Sequence, residues 1–433
     1  MNQLPTAVTR TMEEAKTILA GEPKLLELFL NCFPNTLTTT TKTHEDGTSY
    51  VFTGDIPAMW LRDSSAQVTQ YLTLANEDED IRNIIKGLVR KQLGYIQIDP
   101  YANAFNETEL SISDLHYQDE TELNGWVWER KYEIDSLCYP LQLSYLYWKE
   151  TGDASLFNDE FKTTVDIITN LWKTEQTHRE SSSYRFVRHD CMPSDTLPEN
   201  GLGTPVAKTG MTWCGFRPSD DACQYGYLIP SNMFAVVVLR YVEEIARDVY
   251  GDNAWAGQVA DLATEIDEGI QKYGIVEHPE FGPIYAYETD GMGNHNLMDD
   301  ANVPSLLSIP YLGYRDAKDP VYQNTRRFIL SEENPYYYAG TAASGIGSPH
   351  TPKEYIWHIS LSMQGLTSIS EDERKQLLET LISTDAGTGY MHEGFHKDNP
   401  AKFTRDWFAW ANSIFSQFVY QEKLKSARKS MTS

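Results

Sequence analysis

An all-α fold, its helices paired into a closed toroid, is what the sequence predicts, and three observations predict it. Apolar residues recur at three- and four-residue spacings from one end of the chain to the other. Short turns such as Gly152-Asp153 and Gly251-Asp252 alternate with long loops rich in Gly, Pro, Asp and aromatics. No Gly- or Pro-rich linker divides the 433 residues, so one domain is expected over 1–433. Helix pairs joined by a tight turn at one end and a long loop at the other collect the long loops on one face, which becomes the site face. A solenoid of helical pairs is the competing all-α architecture, but the sequence shows no fixed-period repeat to support it.

In chain order, helices are expected over 6–20, 24–32, 65–75, 81–99, 134–150, 156–177, 231–250, 255–273, 321–330, 355–368, 371–383 and 404–423. Ser64 and Ser65 are placed to cap the third. The long loops are 54–65, 103–131, 189–230, 278–304, 334–352 and 385–403. Minor strands, as hairpins on the site face, are expected at 184–188 (YRFVR) and 278–289 (HPEFGPIYAYET).

Hydrophobic residues at 41% and aromatics at 12% supply an ample core and exclude a disordered or fibrous chain. The 26 Tyr and 10 Trp suit a half-polar, carbohydrate-facing surface. Lys plus Arg number 36 against 62 Asp plus Glu, a net charge of −26 that argues against nucleic acid or an anionic membrane and favours a neutral or cationic ligand. The N-terminus lacks a basic start followed by an apolar core, and no apolar run approaches a membrane span, so a cytoplasmic location is expected. Five cysteines (Cys32, Cys138, Cys191, Cys214, Cys223) without CxxC spacing read as free thiols. Nothing in the sequence sets the oligomeric state.

No GxxxxGK[ST], HExxH or GxSxG motif is present, and the glycine cluster at 340–347 lacks a preceding apolar strand. His392 and His396 stand at a metal-like spacing, but no further ligand set joins them; neither metal nor cofactor is expected. Four loop groups carry the polar chemistry. TGDIPAMWLRDSS crowds Asp55, Trp60, Arg62 and Asp63 together. A planar cation, an aromatic face and two acceptors hold a polyhydroxylated ligand, and equally make a salt-bridged turn. WCGFRPSDDACQYGY sets Arg217, Asp220 and Asp221 between Trp213 and Tyr225. HNLMDDANVPSL holds Asp299, Asp300 and Asn302 just before an apolar helix, where helix capping is the plain reading; Asp299 reads evenly as a site residue or a cap. GYMHEGFHKD places Glu393 among Tyr390, His392, Phe395 and His396.

Glycosidic hydrolysis needs one carboxylic acid to protonate the leaving oxygen and one carboxylate to attack or to activate water. Adjacent Asp220 and Asp221 are expected to raise each other's pKa, and desolvation against Trp213 pushes the same way. Glu393 is expected to be kept ionised by His392 or His396. The acid is therefore drawn from the Asp pair and the base is Glu393, while the residues alone leave open which aspartate acts. The alternatives are a sugar epimerase or lyase moving protons through His189, His295 or His350, and a non-catalytic sugar-binding toroid.

The blocks TGDIPAMWLRDSSAQ, GMTWCGFRPSDDA with YLIPSNMF, LMDDANVPSLL and GYMHEGF resemble, in order, the signature blocks of glycoside hydrolase family 125, over about 6–420. The resemblance implies an (α/α)₆ barrel and an exo-acting α-1,6-mannosidase that inverts the anomeric centre without metal or cofactor. Its partner would be an α-1,6-linked manno-oligosaccharide or N-glycan fragment. Asp220 is then the general acid and Glu393 the general base, with Asp55, Arg62, Asp63, Asp299, Asp300 and Asn302 around the terminal mannose. The expected binding set also takes in Trp60, Arg217, His295, His350 and His396. Loops 103–131, with Trp126, Trp128, Glu129 and Lys131, and 334–352 are candidates for the pocket rim, although Trp126 and Trp128 read equally as core. Inversion sets the two carboxyl groups roughly 6.5–9.5 Å apart.

Overall fold

Burial sorts the helices into two layers. Ile229–Asp248 buries every residue from Ile229 to Leu239, as an interior helix must, whereas Asn253–Tyr273 buries one stripe (Trp255, Val259, Leu262, Ile266, Ile270) and turns its other face outward. A computed structural model covering residues 4–425 repeats this contrast around the ring, except at the single-turn inner helix Ile309–Leu312, which buries only Ile309 and Leu312. The inner helices are Leu61–Thr69, Ile134–Thr151, Ile229–Asp248, Ile309–Leu312, His358–Leu366 and Ala409–Val419. Their outer partners are Glu79–Ile98, Asp159–Glu175, Asn253–Tyr273, Pro320–Ile329 and Glu371–Ser383, and the N-terminal Thr6–Ile18 and Pro23–Cys32 cover the sixth. Leu61–Thr69 packs on both Ile134–Thr151 and Ala409–Val419, so first and last inner helices are neighbours. Polar contacts tie the N-terminal segment to the C-terminal one: Cys32 Sγ to Asn412 Oδ1 at 3.1 Å, Thr36 to Ser413 at 3.0 Å, and Lys423 Nζ to Glu22 at 2.9 Å. The result is the expected (α/α)₆ toroid, with one apolar cluster running from Ala7 to Leu424.

Inner-to-outer connections are short. Gly152, at φ 71°, closes Ile134–Thr151 with a left-handed residue, and Asp252 caps Asn253–Tyr273 by accepting from Trp255 N. Outer-to-inner connections are long, so the N-termini of the inner helices, with their unpaired amides and positive dipole ends, all open onto the loop face.

Several boundaries differ from expectation. The third helix starts at Leu61, and Ser64 and Ser65 lie inside it; Ser64 Oγ donates back to Trp60 O at 2.6 Å instead of capping. Residues 355–357 are extended and pair with Gly394–His396, so the helix there starts at His358, and the last inner helix starts at Ala409. Segment 184–188 contributes only an isolated bridge, Glu120 to Val187. The hairpin near 278–289 forms as Ile275–His278 against Gly282–Tyr285, while Glu288–Thr289 sits between Tyr227–Leu228 and His295–Asn296. The five cysteines are free. No helix among the described residues is long and apolar enough to cross a membrane.

Candidate active site

The loop before the first inner helix is pinned to the last one. Gly54 bridges to Phe408, and at φ 140° a Cβ on it would lie 2.5 Å from Trp407 O, so only glycine allows this approach. Behind the bridge opens a chamber of about 200 Å³, bordered by Trp60, Arg62, Asp63, Asp220, Asn302, His350, Trp357, Glu393, Arg405, Phe408 and Trp410. A wider outer chamber of about 590 Å³ adjoins it, and Ile56, Trp60, Asp220 and His350 border both. Ala58, Trp60 and Ala104 form a small apolar cluster separate from the main core, with Ile56 and Trp128 packed against it.

Arg62 is the electrostatic centre of the inner wall. Its Nη1 donates to Glu133 Oε2 at 2.6 Å and Asp135 Oδ2 at 3.1 Å, its Nη2 to Asp220 Oδ1 at 3.2 Å, and its Nε stands 3.5 Å from Asp63 Oδ2. Asp63 in turn accepts from Thr53 Oγ1 at 2.8 Å. Burial raises Asp63 above its ordinary range despite the opposing pull of Arg62. Sequence reasoning missed Glu133 and Asp135, which flank the start of the second inner helix and give no loop signal.

Asp220 sits in the left-handed region at φ 68°, unusual for a residue with a Cβ. Its backbone is over-determined: Asp220 N donates to Arg217 O, Arg217 N to Asp221 O, and Lys131 Nζ to Asp220 O. The side chain then receives Trp60 Nε1 at 3.3 Å and Asn103 Nδ2 at 3.3 Å besides Arg62. The expected mutual elevation by Asp221 is not what governs it. Asp221 turns away, 3.5 Å from His350 Nδ1 and accepting from Ser219 Oγ. Trp213 stacks on His178 at 3.6 Å, packs on Tyr132 and lies outside the chamber lining. Burial pushes Asp220 up, but Arg62, a hydrogen bond with Glu133, Lys131 and His350 outweigh it and hold the carboxyl below the usual range. Arg217 does not line the chamber; buried, it donates to Glu288 Oε1 at 2.6 Å and anchors the Asp220 turn.

Glu393 borders the same chamber, and Arg405 Nη1 lies 3.7 Å from its Oε1. Its expected histidine partners are elsewhere: His392 engages Arg405 O and Thr388 Oγ1, and His396 lies 3.8 Å from Glu354 outside both chambers. Arg405, itself stacked 4.2 Å over Phe408, clamps Asp55 through Nε and Nη2. Asp55 is therefore fixed by Arg405 and not by Arg62, and it borders the outer chamber. His350 faces Asp221, Asp220 and Glu393; burial pulls it down, but these carboxylates carry it up to about 9.

Asn302 reaches the inner chamber, while Asp300 holds it from behind by accepting its amide N and Nδ2, both at 3.0 Å. Asp299 accepts from Leu306 N and Leu307 N at 2.8 and 3.0 Å, the capping alternative. His295 Nε2 donates to Tyr273 O, and His189 pairs with Glu120, both away from the chambers. In the outer chamber His116 stacks on Trp128 at 4.4 Å, with Tyr117, Lys131, Arg188 and Asp195 around them. Trp126 instead packs on Tyr95 and Lys91, so the two tryptophans divide between rim and interior.

A ring of paired helices whose loop face encloses a small chamber of carboxylates and aromatic rings is the build of a carbohydrate-processing (α/α)₆ enzyme. The model for metal-independent alpha-mannosidases (GH125) matches residues 22–420, and the chain belongs to that family: it is a glycoside hydrolase, an α-mannosidase. A Streptococcus pneumoniae metal-independent α-mannosidase, solved as a non-productive substrate complex with α-1,6-mannobiose, is 49% identical and superposes with a TM-score of 0.93 over 97% of this chain and 99% of its own. The meiotically up-regulated gene 157 protein of Schizosaccharomyces pombe is 41% identical over 95% of this chain and 85% of its own length. Glucoamylase from Saccharomycopsis fibuligera, at 11% identity, a TM-score of 0.56 and 96% coverage of both chains, shares the fold alone.

Proposed function

We propose that this α-mannosidase is exo-acting, cleaves a non-reducing terminal α-1,6-linked mannose and inverts the anomeric centre, with Asp220 as general acid and Glu393 as general base. The observation that carries the reading is the placement of these two carboxyls on separate loops bordering one small chamber, each with its own cationic partner. One sugar ring fills a chamber of about 200 Å³, and the rest of a chain extends into the outer chamber past Trp60. That division is the geometry of exo-action.

In this reading the ring binds against Trp357, Phe408 and Trp410, with Asp63, Asn302 and Arg405 supplying acceptors and donors to its hydroxyls. Asp220 borders both chambers, at the junction where a glycosidic oxygen would lie. It protonates that oxygen while Glu393 takes a proton from the attacking water on the far face of the ring. Asp55 acts through Arg405, and Asp300 through Asn302. Support for the linkage comes from the α-1,6-mannobiose held by the Streptococcus pneumoniae relative, and a manno-oligosaccharide or N-glycan fragment is the substrate class it suggests.

The test is turnover of α-1,6-, α-1,3- and α-1,2-mannobiose by wild type, Asp220→Asn and Glu393→Ala. The reading expects release of mannose from the α-1,6 isomer, with kcat lowered by about 10²–10⁴-fold in either variant. Full activity in one variant would remove that residue from its role, and preference for another isomer would remove the linkage.

A further inference from the structure

Behind Asp220 one guanidinium and one carboxamide are shared among buried carboxyls. Arg62 Nη1 reaches Glu133 Oε2 and Nη2 reaches Asp220 Oδ1. Asn103 Nδ2 stands 3.4 Å from Glu133 Oε1, 3.3 Å from Asp220 Oδ1 and 3.0 Å from Glu129 Oε2. The Glu133 and Asp220 carboxyls thus share two donors, which hold them side by side. Glu133 is fully enclosed, with its side chain 0% exposed, whereas the Asp220 side chain is 22% exposed and borders the chamber.

We infer that Glu133 is the proton store for Asp220, holding the single proton of the Glu133–Asp220 pair between turnovers and passing it to Asp220 when a glycosidic oxygen arrives. This rests on Asp220 being the general acid. Around the pair stand the carboxyls of Asp63, Glu129 and Asp135 and the cations Arg62, Lys131 and His350, with Arg188 paired to Glu129 at 3.0 Å. Glu133 itself is flanked by one cation, Arg62, and by the Asp135 and Asp220 carboxyls, which favours keeping a proton on it. Burial drives Glu133 well up, against the pull of Arg62, while the same surroundings hold Asp220 low, so at rest the proton belongs on Glu133.

In the step, the Glu133 O–H bond breaks and a proton joins the Asp220 carboxylate. The Glu133 carboxylate left behind is held by Arg62 Nη1 at 2.6 Å and Ser136 Oγ at 2.8 Å. Asp220 gives the proton to the glycosidic oxygen as its bond to the anomeric carbon breaks. Water adds to that carbon and loses a proton to Glu393; Glu393 then releases that proton to solvent while the pair takes one up, so each turnover consumes one water and no net proton. Glu133 acts through Asp220 and touches no substrate.

The experiment compares wild type, Glu133→Gln and Asp220→Asn on α-1,6-mannobiose and on 2,4-dinitrophenyl α-mannoside, whose leaving group departs without a proton. Each is assayed from mildly acidic to mildly basic pH, with thermal unfolding as the check on folding. For Glu133→Gln the basic limb of kcat/KM on mannobiose should move acidward by about 1–3 pH units, because Asp220 must then hold the proton alone beside Arg62. At neutral pH that is a loss of about 10- to 1,000-fold, while the dinitrophenyl rate stays within a few-fold of wild type. An unmoved limb, or an equal loss on both substrates, would overturn the store. If Asp220→Asn cleaves mannobiose at the wild-type rate, the acid assignment fails and the store with it. If Asp220→Asn is deficient on mannobiose only, yet Glu133→Gln keeps the wild-type profile, the store alone fails.

Discussion

Replacing Arg62 by alanine removes the cation shared by Glu133, Asp135, Asp220 and Asp63, in a helix start where its own side chain is only 3% exposed. Breaking a buried ion pair by deleting one partner costs about 3–5 kcal/mol, because the remaining charge is left without compensation. An unfolding entropy of about 2.1 cal/mol/K per residue gives this chain about 0.9 kcal/mol/K, so the expected fall in Tm is about 3–5 °C. The loss should also depend on pH. In the native protein burial, against the pull of Arg62, pushes Asp135 up to about 6 from an ordinary 3.8. A carboxyl raised on folding favours the folded state fully below its unfolded value, and that contribution is lost as pH rises through the folded one. Without Arg62 the folded value climbs further, the loss continues to higher pH, and the gap between wild type and variant widens between about pH 5 and pH 8. Thermal unfolding followed by circular dichroism at both pH values measures it. An equal fall in Tm at the two, or a smaller one at about pH 8, would refute the ionic account of this cluster.

Three further perturbations separate binding from scaffolding. Asp55→Ala frees Arg405, which faces Glu393, and the lost charge-assisted bonds of about 1.5–3 kcal/mol should lower kcat/KM about 10- to 100-fold; an unchanged value would reduce the loop to a salt-bridged turn. Asp299→Ala strands the amides of Leu306 and Leu307 and should cost about 1–3 kcal/mol in thermal unfolding with KM nearly unchanged; a large KM rise at constant Tm would return Asp299 to the sugar. Trp128→Ala removes the His116 stack in the outer chamber, worth about 1 kcal/mol, and should raise KM for α-1,6-mannobiose about fivefold while leaving α-mannosyl fluoride, which has no second sugar, unaffected. Equal effects on both substrates would take Trp128 out of the outer chamber's binding role.

The ring was legible because its causes are local. All-round apolar runs such as 229–239 mark an inner helix, and single stripes such as that of Asn253–Tyr273 mark an outer one. The fourth inner helix, Ile309–Leu312, is a single turn and has no periodicity to read. Within the site, Asp220, Glu393, Trp60, Arg62, Asp63, Asn302 and His350 do border one chamber. What the sequence concealed was partnership. Asp55 and Arg405 are separated by 350 positions, as are Arg62 and Glu133 by 71, and nothing in either loop announces the other. Adjacency in sequence also misled: Asp220 and Asp221 diverge because the left-handed Asp220 backbone turns one side chain to Arg62 and the other to His350. His392 and His396 share the loop of Glu393, yet His392 turns to Arg405 O and His396, in the strand Gly394–His396, lies beside Glu354.

Proton NMR of α-1,6-mannobiose hydrolysis at early times tests the central claim most directly, since the anomer released first records on which face of the ring water attacked. The account predicts initial release of β-mannose, followed by slow mutarotation to the α-form. Initial release of α-mannose would contradict it, and would require the two carboxyls to stand about 5–5.5 Å apart as nucleophile and acid/base.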